Sequence, residues 1–135
     1  MDQSMNRSIR RFNKRYFNRF SRLLSGFKGS PWSLIVHQGR KSGRAYTTPV
    51  VVVAVDEKLY TPLPYGTDVD WLQNVLHHGG GIVKKEGQWF SVCDPVLLPA
   101  SEALINLPER SRQFLERFKH IEYFLRVNRE RISED

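Results

Sequence analysis

A single cysteine among 135 residues rules out an intrachain disulfide, so the chain does not read as a secreted disulfide scaffold. Cys93 sits between Val92 and Asp94 in a strand-like stretch and reads as a packed thiol. Metal-ligand spacing is missing too. His77 and His78 are adjacent, His37 and His120 stand alone, and no second cysteine joins them, so no metal is expected. No apolar run approaches the length of a membrane span. The N-terminus is basic but has no hydrophobic h-region or small-residue cleavage site, which predicts a cytoplasmic protein rather than a secreted one. Internal repeats and low-complexity linkers are absent, and the length predicts one domain with a core of its own.

Acidic residues are scarce. Fourteen of them stand against 21 lysines and arginines, for a net charge of +7. The excess is concentrated at the start, where Arg7, Arg10, Arg11, Lys14, Arg15, Arg19, Arg22 and Lys28 face only Asp2. Such a balance favours anionic partners: a polyanionic cofactor, anionic lipid or nucleic acid. Residues 6–27 also carry the clearest helical pattern. Ile9, Phe12, Tyr16, Phe20, Leu23, Leu24 and Phe27 form one apolar stripe, with Phe17 beside it, Ser8 as a cap and Pro31 forbidding continuation. Three readings of this segment stay open. The stripe packs on the domain and the cations are solvated, or the helix lies on an anionic membrane surface, or it binds nucleic acid. The expected organisation is this basic helix over 1–29 and a domain over 30–135.

From Trp32 the period changes to that of strands. Trp32–His37 and Val50–Val55 read as strands rich in β-branched residues. Lys58–Leu63 pairs with the second across Asp56-Glu57, and Pro62 and Pro64 end that pairing. Thr67–His77 reads as a short helix capped by Thr67 or Asp68 and stopped by Gly79-Gly80-Gly81. Ile82–Lys85 and Gln88–Leu98 form a hairpin around Glu86-Gly87. Ser101–Leu107 and Pro108–Phe124 read as helices, with Asn128–Asp135 a polar tail. Hairpin connections predict an α+β fold whose mainly antiparallel strands curl into a small barrel.

Between the first two strands lies Gly39-Arg40-Lys41-Ser42-Gly43-Arg44. Two glycines let the backbone turn, and three cations and a hydroxyl then converge on one spot. That set suits a phosphate or carboxylate. It equally suits a solvated, charged hairpin turn.

This turn, followed by Thr47-Thr48-Pro49, Tyr65-Gly66 and Asp70-Trp71-x-x-Asn74, resembles the deazaflavin (F420)-dependent nitroreductases, also described as F420H2-dependent quinone reductases. The likeness runs over residues 31–98. It implies a split β-barrel, often dimeric, in which reduced F420 gives a hydride to a quinone, nitroaromatic or activated enone. F420 carries a phosphodiester and a polyglutamate tail, and Arg40, Lys41 and Arg44 are what such a polyanion needs. By resemblance, Arg40, Lys41 and Ser42 form the phosphate clamp. Further cofactor contacts fall on Tyr46, Thr47, Thr48, Pro49, Val50 and Val51, then on Pro62, Leu63, Pro64 and Tyr65 beside the ring. A last group is Asp70, Trp71, Leu72, Gln73 and Asn74. Tyr65 and Tyr123 are the candidate proton or hydrogen-bond donors to the acceptor. Bland roles stand beside these: Trp71 as a core anchor, Asn74 as a brace, Asp70 as a helix cap, Thr48-Pro49 as strand shaping. FMN or haem is the alternative ligand of the same fold. A basic nucleic-acid module is the non-enzymatic alternative, but it has no recognised motif and leaves Asp70-Trp71-x-x-Asn74 unexplained.

Overall fold

A computed structural model describes residues 32–117 and 120–132. The basic helix expected over 6–27 lies outside the described residues. Strand β1 (Trp32–Gln38) and strand β2 (Ala45–Val51) form a hairpin across the basic turn, in register from Trp32↔Val51 to Gln38↔Ala45. Strands β3 (Val53–Val55) and β4 (Lys58–Pro62) form the next hairpin, as expected. Helix α1 (Asp70–His78) runs directly into β5 (Gly80–Lys85), which pairs with β6 (Gln88–Pro99). Helices α2 (Ala100–Ile105) and α3 (Glu109–Glu116) then lead to β7 (Tyr123–Arg131).

The seven strands form one sheet in the order β2-β1-β5-β6-β7-β4-β3, every neighbouring pair antiparallel. Its two edge strands, β2 and β3, are separated in sequence by Val52 alone. Three consecutive Cα atoms span at most about 7.6 Å. A flat sheet of seven strands would hold its edges about 29 Å apart. The sheet is therefore curled until its edges meet, as a barrel split at Val52.

Alternation along the strands gives the barrel an inside and an outside. Ile35, Val50, Val52, Leu59, Val83, Phe90, Val92, Leu125 and Val127 fill the inside, together with Leu72 and Val75 of α1. Helix α1 thus plugs one end. Outside, Tyr60 and Phe124 pack with Ala103, Leu107 and Leu115, so α2 and α3 cover β4 and β7. Leu34, Val36, Ile82 and Trp89 form a separate buried cluster on the outer face of β1, β5 and β6. The far end is closed by Arg129. Its guanidinium lies 5.1 Å above the Phe90 ring and donates twice to the Asp56 carbonyl, at 3.0 and 2.7 Å.

Several expectations need correction. The second strand does not start at Val50. β2 begins at Ala45, so Tyr46 to Pro49 belong to the strand, and Val52 breaks it from β3. Pro49 is tolerated within β2 because that strand lies at the sheet edge, where a missing N–H costs no ladder bond. The helix expected over Pro108–Phe124 stops at Glu116. Tyr123–Arg131 is a strand between β6 and β4, not helix and polar tail. Phe124 and Leu125 face opposite cores, so they appear as an adjacent apolar pair rather than as an alternation. Helix α1 starts at Asp70, not Thr67, with Val69 at the cap position and no side-chain cap. Thr67 instead offers its carbonyl to the Gln73 amide at 2.7 Å. Gly80 and Gly81 belong to β5, where a Cβ on Gly80 would overlap the Val92 carbonyl oxygen.

Candidate functional site

The antiparallel registers bring the end of β1, the starts of β2, β5 and β7, and the end of β4 to one end of the barrel. The basic turn, the 63–69 loop and α1 all lie there. Within the turn, Gly39 N–H donates to the Arg44 carbonyl at 2.8 Å and Gly43 N–H to the Gly39 carbonyl at 3.0 Å. Gly43 has φ +71°, a left-handed conformation that glycine adopts freely. At Gly39 space is tight instead: a Cβ there would stand 2.5 Å from Ser42 Oγ and 3.0 Å from the Tyr46 ring, so those side chains would have to shift. Ser42 Oγ accepts from Arg44 N–H at 3.2 Å and shares a hydrogen bond with the Tyr46 hydroxyl at 3.2 Å.

Arg40 points back into the protein. Its backbone N–H donates to Asn74 Oδ1 at 3.1 Å and its guanidinium Nη1 donates to the same oxygen at 2.8 Å. Its Nη2 meets Asp70 Oδ1 at 3.2 Å. Two donors on Oδ1 fix the orientation of the Asn74 amide, so its Nδ2 donates to His37 Nδ1 at 3.0 Å. His37 Nδ1 is therefore the acceptor, and the ring proton is on Nε2, which donates to Thr48 Oγ1 at 2.9 Å. The ring also stacks on Tyr46, with centroids 5.8 Å apart. Both His37 and Asn74 are only 4% exposed. Burial pushes the His37 imidazole from 6.5 down to about 4, against a smaller raising pull from the Asp70 carboxylate, so the ring is neutral at neutral pH.

Lys41 and Arg44 are exposed, and among the described residues neither is held in an ion pair. The turn and α1 thus set three cations against one carboxylate, with two of the cations uncommitted. The site therefore presents local positive charge to solvent at one end of the barrel.

Arg40, Ser42, Arg44, Tyr46, Thr48, Asp70 and Asn74, all candidates from the sequence, share this cluster. Pro64 and Tyr65 form an exposed turn, with Gly66 N–H donating to the Leu63 carbonyl at 3.2 Å. Leu63 N–H in turn donates to the Tyr123 carbonyl at 3.0 Å, so the two candidate tyrosines lie on adjoining chain segments. Both are open to solvent, Tyr65 at 88% and Tyr123 at 42%. Other candidates are placed elsewhere. The side chains of Val50, Leu63 and Leu72 are in the barrel core, and Trp71 packs against that core. Pro62 is buried, and Val51 packs on the outer cluster around Tyr60. Thr47 faces outward opposite Val36, its hydroxyl buried and without a partner among the described residues. Pro49 is exposed on the same outer face, and Gln73 braces the 67–69 loop. Sequence reasoning missed His37, whose partners lie 11 and 37 positions away and leave no local signal. Among the described residues no cluster of His, Cys, Asp or Glu could hold a metal, and no helix is long and apolar enough to cross a membrane.

No family model and no curated protein matches the sequence. Solved structures do match. An F420-H2 dependent reductase superposes with a TM-score of 0.51 at 18% identity, over 73% of this chain and 95% of that one. A chain described as a domain-swapped dimer gives 0.55 at 16% identity, over 91% and 98%. A 5-nitroimidazole antibiotic resistance protein described as putative, from Bacteroides thetaiotaomicron, gives 0.51 at 8% identity, over 81% and 78%. At these identities the shared property is the fold: a split β-barrel, common to this chain, to an F420-H2 dependent reductase and to a nitroimidazole resistance protein.

Proposed function

We propose that the protein binds a deazaflavin of the F420 type and reduces a small oxidised acceptor, a quinone, nitroaromatic or activated enone. The observation that carries this reading is the cluster at the barrel end: Lys41, Arg44 and Ser42 turned outward from a turn that Arg40 anchors to α1. The chemistry of this donor set fits the anionic part of F420. A phosphodiester and several carboxylates need more than one cation, and a single FMN phosphate would leave part of the set unused. When bound, F420 supplies the hydride. The chain's own tasks are then to hold the anionic tail, to shield the ring and to deliver a proton. Lys41, Arg44 and Ser42 hold the tail. Tyr65 and Tyr123, on adjoining segments, are the hydroxyls available to hydrogen-bond the acceptor as it is reduced.

The fold shared with an F420-H2 dependent reductase supports the same reading. The domain-swapped dimer among the structures of this fold supports a homodimer. A quinone acceptor dissolves in membranes, so the basic segment 6–27 is proposed to hold the protein at the inner, anionic face of the cell membrane. The deciding experiment is a fluorescence titration of the full chain with F420, with FMN in parallel. Saturation by F420 at micromolar or lower concentration is expected, as for comparable cofactor sites, and a flat titration up to tens of micromolar refutes the reading. Turnover of menadione by the chain with F420H2 then identifies the acceptor class.

A further inference from the structure

We propose that His37 is a positioning residue that holds the basic turn in its anion-receiving shape, acting through the Asn74 amide. An asparagine amide between two donor groups and an acceptor can take only one orientation. Here the acceptor is His37 Nδ1, 3.0 Å from Asn74 Nδ2. With Nδ2 held there, Oδ1 must face the turn, where it takes the Arg40 backbone N–H and guanidinium together. Rotating the amide by half a turn would set its NH2 against two donors of Arg40 and release the turn. The other edge of the ring is anchored by Nε2, which bonds to Thr48 Oγ1 at 2.9 Å, and the imidazole stacks on Tyr46. The relay therefore runs from β2 through β1 and α1 to the turn, and at its outer end Lys41 and Arg44 are left facing solvent. The groups facing the imidazole are Tyr46 and Thr48 from β2, Asn74 with the Asp70 carboxylate from α1, and Arg40 from the turn. None of the charged ones bonds to the ring, so its acceptor role depends on its own neutrality.

The effect on cofactor affinity rests on the F420 reading above, whereas the positioning does not. The test uses the full chain as wild type, H37L and H37N. Leucine removes the acceptor. Asparagine places an oxygen close to the position of Nδ1 and should restore it. Hydrogen exchange of the Arg40 backbone amide, measured without ligand, reads the turn directly. H37L is expected to speed that exchange about ten-fold or more, and H37N to keep it within about two-fold of wild type, as for one buried hydrogen bond lost and regained. F420 affinity, where it is measurable, should follow the same order. Unchanged Arg40 exchange in H37L, or H37N exchanging as fast as H37L, overturns the proposal. A wild type that shows the exchange pattern but does not bind F420 refutes the cofactor reading alone. If H37L does not fold, N74D decides. A carboxylate has no donor for Nδ1, so the imidazole must become the donor, and the His37 titration should move well above its wild-type position. An unmoved titration overturns the proposal.

Discussion

Acid should destabilise this protein through His37 before it reaches the pH at which most carboxylates titrate. The folded imidazole titrates at about 4 and the unfolded one at 6.5. Above 6.5 both states are neutral and nothing changes. Between 6.5 and about 4 the unfolded chain takes up a proton that the folded chain refuses, so stability falls as pH falls. Below that window both states are protonated and the loss levels off. The gap between the two values bounds the loss at about 3 kcal/mol. The range from pH 7 to 4.5 crosses most but not all of that window, which lowers the expected figure to about 2 kcal/mol. H37N is the control, since it preserves the acceptor and cannot titrate. Urea unfolding of both proteins from pH 7 to 4.5 provides the measurement, with carboxylate contributions common to the two. The wild type should lose about 2 kcal/mol more than H37N over that range. Parallel curves would mean that His37 is not held neutral by burial.

Three further outcomes are expected. K41A/R44A should weaken F420 binding by about 2–4 kcal/mol with thermal stability unchanged, because both side chains are exposed and uncommitted; an unchanged titration would reduce the turn to a solvated hairpin. R40A should lower stability as well as affinity, by about 1–2 kcal/mol in chemical unfolding, since it removes the guanidinium donor from Asn74 Oδ1 and the contact with Asp70 while keeping the backbone N–H; loss of affinity with full stability would contradict the anchoring role. Deleting residues 1–27 should abolish salt-sensitive binding to anionic vesicles and leave the barrel folded; a truncated chain that aggregates would assign the apolar stripe to the core instead.

The sequence carries the barrel more clearly than the site. The β1–β2 and β3–β4 hairpins and the β5–β6 hairpin are legible because each is local and bounded by turn residues at 39–44, 56–57 and 86–87. β7 is not, because its identity as a strand depends on Lys58–Pro62, 62–70 positions away, and its apolar residues serve two cores at once. The candidate site is half legible. Glycines and cations at 39–44 mark a basic turn that suits an anion, and Asp70 and Asn74 stand out at helical spacing. The sequence gives no hint that Arg40 is turned inward, because that depends on where α1 lies relative to the turn. Leu72 and Val50 lie within cofactor-like stretches, yet alternation sends their side chains to the core.

The position of β7 also governs the order in which the molecule can be completed. β4 pairs with β3 on one side and β7 on the other, and β6 meets that half of the sheet only through β7. On a ribosome, residues 32–99 can supply three hairpins, but nothing yet joins the β3–β4 pair to β6. That junction forms when residues 123–131 emerge, so the open sheet edges of β4 and β6 stay exposed until the final strand zips between them. Contacts of such long sequence separation make folding slow, and waiting edges invite pairing with another chain. A pause or truncation before Tyr123 would therefore leave three intact hairpins and no barrel, a species prone to exchange strands with its neighbours.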